Sequence, residues 1–188
     1  MKKQSRKPKF KELNPTYFVF CEGETEESYI NHLKAKYRLP IEIDSKIAGN
    51  RITAKYIEHY KQDKFNLKKK DKTYLVYDLD VPEMLNKLMA IKNTTLLSSN
   101  PCFELWYLLH CQEQNVGLSS SECIHKLSVH LPDYAKGKFG CKIKSKIDDK
   151  QQKACHRAKK LTIHQNPSSQ IYRLIEDLES VKQKAKNE

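Results

Sequence analysis

Apolar residues along this chain alternate between a period of two and a period near that of a helix, and the alternation repeats before residue 112. Tyr17 to Cys21 is a continuous apolar run of strand length. It gives way to a helical stretch from about Thr25 to Tyr37, with Tyr29, Ile30, Leu33 and Tyr37 on one face. Thr25 is placed to cap that helix, and Glu26 and Glu27 suit the positive end of its dipole. Ile41, Ile43 and Ile47 then alternate with Glu42, Asp44 and Lys46, the pattern of a half-buried strand. Gly49-Asn50 breaks it, and Ile52, Tyr56, Ile57 and Tyr60 return at helical spacing. Thr73 to Leu79 is apolar enough for the centre of a sheet. Pro82 opens a short helix through Ile91, and Thr94 to Ser98 is a fourth strand. Asn100-Pro101 supplies a cap and first position for a helix from Cys102 to Cys111, apolar nearly all round and therefore interior.

This order predicts an α/β fold with an open sheet of about four mainly parallel strands and right-handed crossovers. Beyond residue 112 the pattern is helical only: Ser120 to His130, about Ser145 to Leu161, and Pro167 to about Lys184. A Gly/Lys-rich loop, Tyr134 to Gly140, separates the first two. Three regions follow: a basic flexible arm over residues 1–14, an α/β core over 15–112, and a helical extension over 113–188 packed on the core.

Charge changes the picture. The 188 residues carry 35 Lys plus Arg against 23 Asp plus Glu, a formal charge of +12. Such a surplus attracts phosphates, an effect that salt weakens. The lysines also cluster: residues 2–11 are basic, Lys68, Lys69 and Lys70 form a run, and five lysines lie between Lys136 and Lys146. No stretch is long and apolar enough for a membrane span, and the N-terminus lacks the apolar segment of a secretion signal. The six cysteines form no Cys-x-x-Cys pair and no zinc-like spacing, so they are expected to be reduced thiols in a cytoplasmic protein.

Against this basic background stand two acidic clusters, each following an apolar strand: Glu22-Gly23-Glu24-Thr25-Glu26-Glu27 and Asp78-Leu79-Asp80. If the strands are parallel neighbours, the carboxylates converge at one edge of the sheet. Converging carboxylates repel one another and suit a hard cation such as Mg²⁺ or Mn²⁺. Glu24 and Glu27 read as ordinary acids at a helix start. Glu22, Asp78 and Asp80 are the candidate catalytic and metal-binding set, with Glu26 a further ligand. Glu104 interrupts a helix that should be buried; it either faces the acidic site or pairs with a Lys or Arg. His110 is expected to be a satisfied interior histidine and Trp106 a core residue. Lys136, Lys138 and Lys142, with Lys68 to Lys70 and the arm, are the candidate nucleic-acid contacts.

Phe20-Cys21-Glu22-Gly23-Glu24-Thr25-Glu26, Tyr77-Asp78-Leu79-Asp80 and Ser99-Asn100-Pro101-Cys102-Phe103-Glu104-Leu105-Trp106-Tyr107-Leu108-Leu109-His110 resemble the signature blocks of the RloB-like family. Tyr134-Ala135-Lys136 and Asn166-Pro167-Ser168-Ser169-Gln170-Ile171-Tyr172-Arg173-Leu174 resemble it too. That family includes the abortive-infection protein AbiLii, occurs in bacterial restriction and phage-defence loci, and resembles TOPRIM domains. The resemblance implies a TOPRIM/Rossmann-like sheet, Glu22 as the TOPRIM-type glutamate, and Asp78 with Asp80 as the metal pair. The acids that many TOPRIM nucleases place near the Asp-x-Asp are missing here, which leaves a second metal to Glu26, Glu83 or Glu104. The expected function is therefore Mg²⁺-dependent cleavage of RNA or DNA in phage defence. The alternative is a non-catalytic nucleic-acid-binding or phage-sensing subunit. The chain has no Gly-x-x-x-x-Gly-Lys loop, so an AAA-type ATPase would come from a neighbouring gene, and a homo-oligomer is compatible with this reading.

Overall fold

A computed structural model of the protein describes residues 14–64, 70–138 and 140–187. The basic run at residues 2–11, Lys68 and Lys69 lie outside the described residues. The elements in order are β1 (Thr16–Cys21), α1 (Glu24–Tyr37), β2 (Glu42–Ile47), a 3-10 turn (Gly49–Arg51), α2 (Ala54–Gln62), β3 (Lys72–Asp78), α3 (Pro82–Met89) and β4 (Thr95–Asn100). They continue as α4 (Glu104–Cys111), α5 (Ser120–His130), α6 (Cys141–Asp148), α7 (Gln151–Lys159), β5 (Ser168–Ser169) and α8 (Tyr172–Asn187).

The described strands form one sheet of order β2-β1-β3-β4-β5, with the first four parallel and β5 antiparallel to β4. Side-chain alternation assigns its two faces. Tyr17, Val19, Cys21, Tyr74, Val76 and Leu97 join the larger core cluster with α1, α4, α5, α7 and α8. Phe18, Phe20, Leu75, Tyr77 and Leu96 pack against α2 and α3 on the other face. Burial on both faces explains why β1 and β3 read as unbroken apolar runs. β2, at the edge, alternates instead.

The connection through α1 leads to β2 on one side of β1, and the connection through α2 returns past β1 to β3. Strand order therefore reverses between β1 and β3, and open α/β sheets form a crevice beyond the strand ends at such a point. Cys21 pairs with Val76, and Asp78 with Ser99. The two acidic clusters thus emerge side by side at the carboxyl edge.

Several expected boundaries differ. Gly23, in extended conformation, precedes α1, and Thr25 lies inside its first turn. The helix expected from Cys102 begins at Glu104, because Asn100 stays in β4 to pair with Ser168. That pairing also supplies the fifth strand that a purely helical reading of residues beyond 112 omits. The helix expected over 145–161 is two. Asp148 ends α6 against His32 and Lys36, each at 2.8 Å, and Lys36 also reaches Gln151 at 2.8 Å, spanning the break from α1.

α4 runs through the larger cluster, and Glu104 to His110 are all buried. Leu108 is fully enclosed, so Leu108→Ala is expected to cost about 2–5 kcal/mol in a chemical denaturation curve. Trp106 is core, its ring 4.9 Å from that of His110. His110 Nδ1 donates to the Trp106 carbonyl at 2.8 Å, and burial pushes its pKa down to about 4. Cys21, Cys102, Cys123 and Cys155 are buried free thiols, and Cys111 is a half-buried one. Among the described residues no helix is long and apolar enough to cross a membrane.

Candidate functional site

Glu22 follows β1, and its N–H extends the ladder by donating to the Val76 carbonyl at 3.0 Å. Its side chain turns across to β3, where Oε2 accepts the Asp78 N–H at 2.8 Å. The ends of the two strands are thereby locked together. Glu26 lies one turn into α1 and is almost fully buried; its Oε2 accepts the Gly23 N–H at 2.9 Å. Glu104 opens α4 at 1 % exposure, and its Oε1 accepts the Tyr134 hydroxyl at 2.6 Å. Its partner is thus a neutral donor, where a Lys or Arg was the structural alternative.

An open cavity of about 310 Å³ lies at this edge, lined by Glu22, Glu24, Glu26 and Asp78 among others, with Lys136 the cation on its wall. Glu104 does not line it, yet its charge reaches both Asp78 and Glu26. Burial, followed by the charges of Glu26, Glu22 and Glu104 among its neighbours, pushes the Asp78 carboxyl up to about 10. Glu26 is raised first by burial and then by Glu22 and Glu104, against the Gly23 N–H that favours its anion. Glu22 is raised by burial and by Asp80, while the Asp78 N–H and Lys136 pull the other way. Asp78 Oδ1 is buried with no hydrogen-bond partner.

The donor set suits a hard cation in kind: all oxygen, anionic, and with one oxygen left unsatisfied. Among the described residues, however, no three His, Cys, Asp or Glu side chains already stand grouped to hold a metal ion. One oxygen on each of Glu22, Glu26 and Glu104 is engaged by a protein donor.

The remaining candidates divide. Asp80 is exposed and not among the cavity-lining residues, although its charge reaches Glu22. Lys138 is exposed near Lys136, across the Ala135–Lys138 bridge. Lys142 lies in the first turn of α6. Lys70 precedes β3 and so sits at the opposite, amino edge of the sheet, the length of the strand away from the acids. Thr25, expected only as a helix cap, and Gly137 and Tyr134, expected only as parts of a Gly/Lys-rich loop and a family-like block, join that loop to α1 and α4.

Fold and site together define an α/β protein with a doubly wound sheet and a crowded carboxylate site at the point where its strand order reverses. A family model described as RloB-like protein matches residues 17–178, and the chain belongs to that family. No curated protein and no solved structure matches it.

Proposed function

We propose that the protein is a TOPRIM-like, Mg²⁺-dependent nuclease acting in phage defence, as the AbiLii resemblance suggests. One observation carries the reading: the carboxylates of Glu22, Glu24, Glu26 and Asp78 line one strand-edge cavity, within reach of the charge of Glu104, and Asp78 Oδ1 is buried there without a partner. Such crowding is costly unless a cation or a proton neutralises it. The chain's charge of +12 and Lys136 at the cavity wall suit a polyanionic substrate.

Asp78, Glu22 and Glu26 would hold the ion, with Glu104 supporting them and Asp80 at the rim. Bound there, Mg²⁺ supplies charge neutralisation at the scissile phosphate and a lowered pKa for its water. Glu22 Oε1, the oxygen not engaged by the Asp78 N–H, accepts the proton of the attacking water, and its raised pKa makes it a better base. Lys136 holds the phosphate, and Lys138 grips the neighbouring backbone. Cleavage of labelled tRNA and duplex DNA with Mg²⁺ or Mn²⁺ tests this. Glu22→Gln is expected to lower turnover by roughly 10²–10³-fold. Equal turnover by that variant sinks the assignment.

The engaged carboxylate oxygens favour a second reading, a binding-only subunit working with a partner ATPase. It predicts salt-sensitive nucleic-acid binding with no product under any divalent ion.

A further inference from the structure

The carboxyl end of β2 lies beside that of β1, and the 3-10 turn that follows it is built against the acidic edge. The Ala48 N–H donates to the Cys21 carbonyl at 2.9 Å, which carries the ladder to the point where Glu22 begins. Gly49 then takes φ +52, and a Cβ there would lie 3.5 Å from the Glu22 carbonyl oxygen. The Tyr77 hydroxyl, from the strand that ends in Asp78, donates to the Gly49 carbonyl at 3.0 Å. Lys87 of α3 donates to the Asn50 carbonyl at 2.8 Å, and Ala48 and Ile52 are buried on either side of the turn. The turn is thus held from three strands and a helix, and Arg51 is its last residue.

Arg51 is exposed, with its guanidinium 6.0 Å from the centre of the half-buried Tyr56 ring. Among the described residues no carboxylate pairs with it. Lys87 is exposed too, and its bond to a neutral carbonyl leaves its charge uncancelled. These two cations stand on the face of the sheet covered by α2 and α3. Lys136 stands on the other face, where the Gly137 N–H donates to Thr25 Oγ1 of α1 at 2.9 Å. The acidic cavity lies between them, at the strand ends. A phosphodiester strand brought to those carboxylates is repelled by them and needs fixed cations on both sides. A guanidinium fork matches phosphate oxygens, and a turn anchored this way holds it in place. We propose that Arg51, with Lys87 beside it, is a second backbone-phosphate contact, so that the strand crosses the sheet edge from Lys136 to Arg51. This rests on the reading of the protein as one that binds nucleic acid and requires no metal ion.

The test is anisotropy titration of labelled tRNA and labelled duplex DNA with the full chain, in EDTA, over a range of salt concentrations. On whichever probe the wild type binds, Arg51→Ala is expected to raise the dissociation constant roughly fivefold at about 0.15 M salt. It should also reduce the slope of log affinity against log salt by about one. Arg51→Lys, which keeps the charge, should restore that slope. The control is Lys153→Ala, an exposed lysine on α7, a helix that starts against the far end of α1; its effect should stay within about twofold. An unchanged constant and slope in Arg51→Ala overturn the proposal. An equal loss in Lys153→Ala does so too, because it marks diffuse attraction by overall charge. If Arg51→Ala does not fold, Lys87→Ala carries the same test, with a loss of about threefold expected and no loss equally fatal. A wild-type protein that binds neither probe overturns this proposal and the nuclease reading together. Binding that Arg51→Ala weakens, without cleavage under Mg²⁺ or Mn²⁺, removes the nuclease reading alone. Cleavage by a wild type whose binding Arg51→Ala leaves unaltered removes only the contact proposed here.

Discussion

Asp78→Asn is expected to abolish cleavage and, at the same time, to stabilise the cation-free protein. Asp78 is an anion-forming group in a largely dry site, facing Glu26, Glu22 and Glu104. Either it keeps its proton at neutral pH or it stands charged among like charges, and both states cost folding free energy. Asparagine has nearly the same shape and no charge. Its amide nitrogen can donate to the neighbouring carboxylates, where the wild type has a buried oxygen without a partner. The expected gain is about 1–3 kcal/mol in EDTA, read from denaturant midpoints. Turnover should fall by roughly 10³-fold. A residue kept for stability alone would move both quantities downward. Loss of stability in EDTA would therefore show that Asp78 is a structural partner and that the acidic site is not one held under electrostatic stress for function.

The second large effect is linkage between pH, cation and stability. Asp78, pushed up to about 10, Glu26 and Glu22 are all raised in the folded protein, chiefly by burial. A group whose folded pKa exceeds its unfolded value stabilises fully below the unfolded value. That contribution is lost as pH rises toward the folded value. In EDTA, stability should therefore fall between pH 6.5 and 8, by up to about 2 kcal/mol for one such carboxyl. His110 does not obscure this window. Its pKa is lowered to about 4, so its contribution is present above the unfolded imidazole value and is lost only as pH falls below it. Mg²⁺ should reverse the fall, because a bound cation takes the place of the proton. Its stabilising increment in thermal melts should be larger at pH 8 than at pH 6.5. An increment independent of pH would mean that the ion binds elsewhere.

Much of the frame was legible in the order of residues. β1 and β3 announced themselves as apolar runs, because a strand buried on both faces has little room for polar side chains. Glu22 and Asp78 stood out because an acid directly after such a run must lie at a strand end. α5 matched its expected bounds, since Ser119 and Glu122 form a local capping box. The errors fell where distant segments override local preference. Asn100-Pro101 carries the signature of a helix start, yet Ser168 holds Asn100 in the sheet. Thr25 is a good cap by type, but its hydroxyl accepts from Gly137, 112 residues further along. Lys70 belonged to a basic run by sequence and lies at the opposite edge of the sheet from the acids.

What the sequence determined by itself was a basic chain with an α/β frame and acids at two strand ends, because strand and helix periodicity are local properties. Which acids share a site was decided by tertiary structure alone. Parallel pairing of β1 with β3 joins Glu22 to Asp78. The entry of α4 beneath that edge adds Glu104, and the strap from α5 to α6 brings Tyr134 and Lys136 to the same place. Electrostatic stress at a carboxylate depends on through-space distance and burial, and neither is set by separation along the chain.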